Sequence, residues 1–167
     1  MPDVTHSAEA IKKLNHLIKD IKFAMLTTAQ PDGQLRSRPM ATQETDQDGN
    51  LWFFTGASSP KVSEIREHQE VNISYASPEE QRYVSVSGAA EVVRDMQKMR
   101  DLWNPVYRAY FPKGLDDPDL TLLKVRISEA EYWDSPSSRM VQIAGFVRAV
   151  VTGQRSPIGE HGKLDVA

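Results

Sequence analysis

The sequence predicts a mainly β chain with helices, curled into a small antiparallel barrel. Two observations point there. About six short runs, apolar or alternating, have the length of strands. Compact turn signals, Pro31-Asp32-Gly33 and Gln47-Asp48-Gly49-Asn50, separate the first of them. In such turns proline presets φ and glycine permits a positive φ. Short strands with a few short helices around them suit an antiparallel barrel with helical decoration.

The elements follow in order. Ile11, Leu14, Leu17, Ile18 and Ile21 recur at spacings of three and four, which predicts an N-terminal helix within residues 1–20. Phe23 to Thr28 reads as a strand, Leu35 to Thr45 as a second, and the compact run Leu51 to Thr55 as a third. Ser59 is placed to cap a short helix with Pro60 in its first turn and Val62 and Ile65 facing inward. Val71 to Ser77 is a strand. Arg82 to Val93 alternates, with Val84, Val86, Ala90 and Val92 on one face. Gly88 in its middle predicts a bulge or a close backbone approach. Asp95 caps a helix whose Met96, Met99 and Trp103 share a face, and a loop-rich stretch runs from Pro105 to Pro118. Leu122 to Ile127 and Ala130 to Asp134 read as two further strands. Met140, Ile143, Ala144, Val147 and Val151 predict a late helix stopped by Gly153. The tail, residues 154–167, is polar and weakly patterned.

Composition narrows the function. The 167 residues, 40% of them hydrophobic, suit one domain. A net charge of −3 gives no basic excess, so nucleic acid is not the expected partner. The absence of cysteine excludes disulfides, thiolate chemistry and cysteine-ligated metals. Glu9, Lys12, Lys13 and Lys19 interrupt the first apolar residues, so no signal-peptide core is expected. No run approaches the ~20 apolar residues of a membrane span. A cytoplasmic protein without a membrane partner is expected.

The chemistry concentrates between Arg36 and Lys61. Arg36 and Arg38, two apart, project from one strand face. Ser58, Ser59 and Lys61 surround a helix start, whose unpaired N–H groups and partial positive charge make a seat for phosphate. Trp52 and Phe54 share a face that can line an aromatic ring. Phosphate at one end and a planar ring at the other describe a phosphorylated heteroaromatic cofactor. The same residues also suit an ordinary core, a solvated strand face and a plain helix start. His6, His16, His68 and His161 are scattered without metal-ligand spacing, so no metal is expected. The chain has no nucleophile elbow, P-loop or dinucleotide-binding glycine fingerprint.

At this segment the sequence resembles a known family. Arg36-Ser37-Arg38-Pro39-Met40, Leu51-Trp52-Phe53-Phe54-Thr55 and Lys61-Val62-Ser63-Glu64-Ile65 are similar to the general-stress-protein branch of the pyridoxamine-phosphate-oxidase-like FMN-binding split barrels. Tyr83 to Gly88, Leu102-Trp103, Tyr110 to Gly114, Asp116 to Pro118 and Ala130 to Asp134 extend the likeness across roughly Ile11 to Val166. The resemblance implies a six-stranded antiparallel split β-barrel and an obligate homodimer with FMN at its interface. It implies that Arg36, Ser37, Arg38 and Pro39 line the flavin. Phe54 and Thr55 would flank its ring and ribityl chain, and Ser59 and Lys61 would take the phosphate. Phe111 and Trp133 would arrive from the partner subunit. The oxidase proper carries a C-terminal arginine-and-histidine substrate motif that does not match Gly153 to Lys163, so vitamin B6 oxidation is not implied. What remains is a flavin-dependent oxidoreductase using a small electron donor or acceptor, with no side chain assigned as catalytic. A non-catalytic flavin-binding or redox-sensing protein is a second reading. A barrel holding deazaflavin or haem, the latter needing an axial ligand such as His68, is a third.

Overall fold

A computed structural model describes residues 4–43, 45–135, 139–154 and 160–166. Helix α1 (Val4–Ile18) leads into β1 (Phe23–Ala29), β2 (Leu35–Ala41) and β3 (Asn50–Gly56). Helix α2 (Pro60–Glu67) follows, then β4 (Glu70–Ser77), β5 (Arg82–Val93) and α3 (Met96–Leu102). Two 3₁₀ turns, Pro105–Ala109 and Gly114–Asp116, precede β6 (Leu120–Asp134), α4 (Arg139–Thr152) and β7 (Glu160–Leu164). Residues 1–3 of the expected first helix and residues 155–159 and 167 of the tail lie outside the described residues.

All pairings are antiparallel, in the order β2-β1-β4-β5-β6-β3, with β7 on β6. The end strands β2 and β3 come back into contact, so the sheet curls into the split barrel. Its core joins Leu14, Leu17 and Ile18 of α1 to Leu26, Phe53, Ile73, Val86 and Val125, all nearly fully buried. Each such side chain stabilises the fold by about 1.5–3 kcal/mol through its removal from water. Strand β3 is buried on both faces. Leu51 and Phe53 enter the main core, while Trp52 and Phe54 enter a second cluster with Met99, Leu120 and Leu122.

Three expectations change. The second strand stops at Ala41, because Thr42 N–H donates to Lys22 O and its hydroxyl to Ile21 O. Thr45 is then tied to Asn15 of α1. The two late strands are one, β6, since Ser128 forms a bulge where the register slips opposite Ser87 and Gly88. The polar Ser128-Glu129 pair marks this bulge and not a chain break. The six strands of the barrel are as expected, and the tail, read as weakly patterned, adds a further strand, β7, off that path. Its short polar sequence, Glu160 to Leu164, lacks strand patterning and pairs only because β6 runs beyond β3 and leaves Ala130–Asp134 an open edge.

The register also defines the outer face of the sheet. Ala76, Tyr83, Trp133 and His161 form one row across β4, β5, β6 and β7. Phe23 and Ala41 are paired on β1 and β2, two residues along from the Met25–Ser74 pair, and continue that row. Phe23, Met25, Tyr83 and Trp133 are each more than 40% exposed, an apolar content unusual for a solvent-facing sheet.

Candidate functional site

Arg36 and Arg38 leave β2 on the face opposite Ser37 and Pro39, toward the first turn of α2. They line a cavity of about 180 Å³ with Pro60 and Lys61. The Lys61 ammonium donates to Thr55 Oγ1 at 3.0 Å, and the Ser59 hydroxyl lies 3.4 Å from that oxygen. Ser59 is the N-cap residue of α2, yet its side chain caps no helix N–H, which leaves the positive end of the helix to the cavity. Burial, then the charges of Arg38 and Arg36, lower the Lys61 ammonium below its usual range, with Glu64 opposing them. Three cations converge on this cavity, and Glu64, paired to Arg38 at 2.8 Å, offsets only one of them, which describes an anion seat.

A second pocket, of about 240 Å³, shares Lys61 with this cavity. Its walls are Phe23 of β1, Pro39, Met40 and Ala41 of β2, and Phe54, Thr55 and Gly56 of β3, with Tyr107, Tyr110 and Phe111 from the loop after α3. Phe54 is held by Trp103 and Tyr107, at ring-centroid distances of 5.4 and 5.6 Å. Phe23 meets Tyr110 edge-on at 6.1 Å. Asp119 pins the turn from β3 into α2, accepting from Ser58 N–H and hydroxyl at 2.9 Å each. An apolar, aromatic pocket thus opens beside a cationic cavity, with Lys61 common to both.

Beneath the seat lies a buried polar cluster. Arg38 Nη2 donates to Glu64 Oε2 at 2.8 Å, Arg38 Nη1 to Thr28 Oγ1 at 2.5 Å, and Thr28 Oγ1 to the same Glu64 oxygen at 2.6 Å. Burial alone would raise the Glu64 carboxyl, but the bonds from Thr28 and Arg38 and the arginine charges outweigh it and hold it below the usual range.

A family model described as pyridoxamine 5'-phosphate oxidase like matches residues 9–157, nearly the whole chain. The chain belongs to this pyridoxamine 5'-phosphate oxidase-like family. A general stress FMN/FAD binding protein from Xanthomonas citri is 30% identical, with a TM-score of 0.66 over 78% of this chain and 92% of that one. Protein bli-3 of Neurospora crassa is 28% identical over 91% of this chain and 78% of its own length. A solved protein from Jannaschia sp. CCS1 shares the fold over 99% of both chains, with a TM-score of 0.71 at 24% identity.

Of the residues singled out in the sequence, the structure brings Arg36, Arg38, Pro39, Phe54, Thr55, Lys61 and Phe111 to the two adjoining pockets, with Ser59 beside them. Phe111 lines the pocket of its own chain. Ser37 faces outward, its hydroxyl 2.6 Å from that of Thr27. Trp52 shares a face with Phe54 but lines neither pocket. Its Nε1–H donates to Asp46 at 2.8 Å, and the Lys98 ammonium lies 4.8 Å from its ring centroid. Trp133 stands at the β6–β7 end of the outer row, stacked on His161 at 5.1 Å. His68 is exposed at the end of α2 and lines neither pocket. Among the described residues no three His, Asp or Glu side chains are grouped to hold a metal ion.

Sequence reasoning missed Thr28, Glu64, Phe23, Met40, Tyr107 and Tyr110. Phe23 and Tyr110 carried a readable signal, as aromatic residues at a strand start and in the loop of the family motif. Glu64 carried one too, as the lone acid on the inward face of α2 beside Val62 and Ile65.

Proposed function

We propose that this chain binds FMN and serves as a flavin-dependent oxidoreductase. The observation that carries the reading is the joining of an aromatic pocket to a three-cation cavity at Lys61. The residues fit the group. Arg36, Arg38 and Lys61, with the uncapped start of α2, suit the terminal phosphate. The neighbouring hydroxyls of Thr55 and Ser59 would serve the ribityl chain and the phosphate respectively. Phe54, Phe111 and the β2 backbone at Pro39 suit the ring, and the 30% identical relative is described as binding FMN or FAD.

The flavin would supply two-electron transfer chemistry. Arg36, Arg38 and Lys61 would bind the phosphate, and Phe54 and Phe111 would offer the ring an apolar wall. Among the described residues the apolar pocket contains no carboxylate or histidine, so no side chain is assigned a proton transfer. The lack of a matching substrate motif between Gly153 and Lys163 motivates a second reading, in which the chain holds flavin without turnover.

The functional unit in this proposal is a homodimer. The aromatic pocket is open-sided, with Phe23 and Tyr110 about half exposed. It lies at one end of the outer apolar row, and Trp133 lies at the other. A two-fold axis through the row would set the Trp133 end of each copy over the pocket end of its mate.

The test is the visible spectrum of purified protein mixed with FMN and desalted. Retained flavin near one per subunit supports the site, and a colourless protein overturns it. Bleaching of that band under a nicotinamide donor supports the oxidoreductase. A band that no donor bleaches favours the non-catalytic reading.

A further inference from the structure

The buried carboxylate of Glu64 is the unexpected group in this site. A cavity that gathers three cations for an anion gains nothing electrostatically from an acid beneath it, since its charge repels the anion. Glu64 is nonetheless only 6% exposed and sits in the second turn of the helix whose start forms the seat. It is tied from two sides, by Thr28 of β1 and by Arg38 of β2. Thr28 is 1% exposed, and its hydroxyl both accepts from Arg38 Nη1 and donates to Glu64. The three side chains close a ring of hydrogen bonds, which leaves the guanidinium little freedom to rotate. Arg38 keeps its Nε–H and its second Nη2–H without a partner among the described residues, and it lines the cavity with Arg36 and Lys61.

We propose that Glu64 is a positioning residue for the phosphate seat, and that Thr28 and Glu64 together fix the Arg38 guanidinium so that its remaining N–H groups serve the phosphate. This rests on the flavin reading and deepens it. A long, mobile arginine would lose rotamer freedom each time it captured a phosphate, and the buried ring removes that freedom beforehand. The proposal sets the sign of an experiment against simple charge counting. Removing the Glu64 charge makes the seat more positive, so an electrostatic role predicts tighter phosphate binding. A positioning role predicts weaker binding.

Glu64→Gln keeps the shape of the side chain, and Thr28→Val removes the second support without changing any charge. Both variants and the parent would be titrated with FMN and with riboflavin, which lacks the phosphate, and their folding followed by thermal melts. The expected result is an FMN dissociation constant raised about tenfold or more in both variants, with riboflavin affinity unchanged. FMN binding that is unchanged or tighter overturns the proposal, as does an equal loss of riboflavin affinity. If Glu64→Gln fails to fold, Thr28→Val decides alone. If the parent binds neither flavin, the flavin reading fails separately, and inorganic phosphate becomes the probe. Thermal stabilisation of the parent by phosphate, lost in both variants, then supports the positioning role. No stabilisation of the parent overturns it.

Discussion

Lys61 touches both pockets and carries the sharpest prediction for a single residue. Its ammonium is half-buried beside two guanidinium groups, so a phosphate would relieve charge there as well as accept a hydrogen bond. Lys61→Ala is expected to weaken FMN by about 1–3 kcal/mol, measured by flavin fluorescence titration, with a smaller effect on riboflavin. Affinity follows the protonated ammonium, whose pKa lies below 10.5 before phosphate binds. FMN binding is therefore expected to weaken as pH rises through that lowered value, at a lower pH than for a solvated lysine. Flavin-free protein shows the opposite trend. Its unfolded chain holds the Lys61 proton more tightly, so this residue adds stability as pH rises from the folded pKa toward 10.5. Glu64 acts at the acid end. Its carboxyl lies below 4.5 in the fold, so the stability it contributes is present above that value and is lost as pH falls through the folded one. Melts across both pH ranges check the two directions.

Among the elements, β5 and β6 hold the two halves of the barrel together. Their register slips at Gly88, where an added Cβ would stand 2.3 Å from the Arg126 carbonyl oxygen. Gly88 and Arg126 both lie on paired backbone, so neither can yield cheaply. Gly88→Ala is expected to cost about 1–3 kcal/mol, seen as a lowered Tm. Asp46 plays a comparable part before β3. It accepts from Asn50 N–H at 2.9 Å and from the Trp52 indole at 2.8 Å, so one carboxylate shapes the turn and orients the strand. This explains why Trp52, an aromatic beside Phe54 in sequence, belongs to packing and not to the pocket wall. On the other edge, β7 is fastened to β6 and α1 by side chains. Tyr132 Oη donates to Glu160 at 2.5 Å, and this bond, then burial, pushes the phenol up to about 12. Lys13 of α1 reaches both Glu160, at 3.6 Å, and the Tyr132 ring.

At the scale of the whole molecule, the pocket and Trp133 occupy opposite ends of one exposed row. In the proposed dimer Trp133 closes the mate's pocket. Trp133→Ala is therefore expected to weaken FMN while leaving the monomer's fold intact, since the indole is 42% exposed and outside both core clusters. Far-UV circular dichroism and a flavin titration check both halves. Tyr83→Glu, near the middle of the row, is expected to shift sedimentation from dimer to monomer and to weaken FMN with it. A monomer that retains full FMN affinity would show that each pocket is complete by itself.

Most of the fold was legible because it is written in local signals. Alternation along β5, the turn glycines Gly33 and Gly49 at positive φ, and Asp95 capping α3 through the Gln97 and Lys98 amides each depend on near neighbours in the chain. The cationic half of the site was legible for the same reason, since Arg36, Arg38 and Lys61 flank one strand and one helix start. Tertiary structure alone decided what depends on distant partners. The bulge at Ser128 and the strand β7 exist through pairing with β5 and β6, and neither shows in the local pattern of residues 128 or 160–164. Thr28 and Glu64, thirty-six positions apart, became one cluster only when α2 packed against β1. Sequence spacing along a strand or helix sets which way a side chain points, whereas its partner is set by the burial of surfaces far apart in the chain.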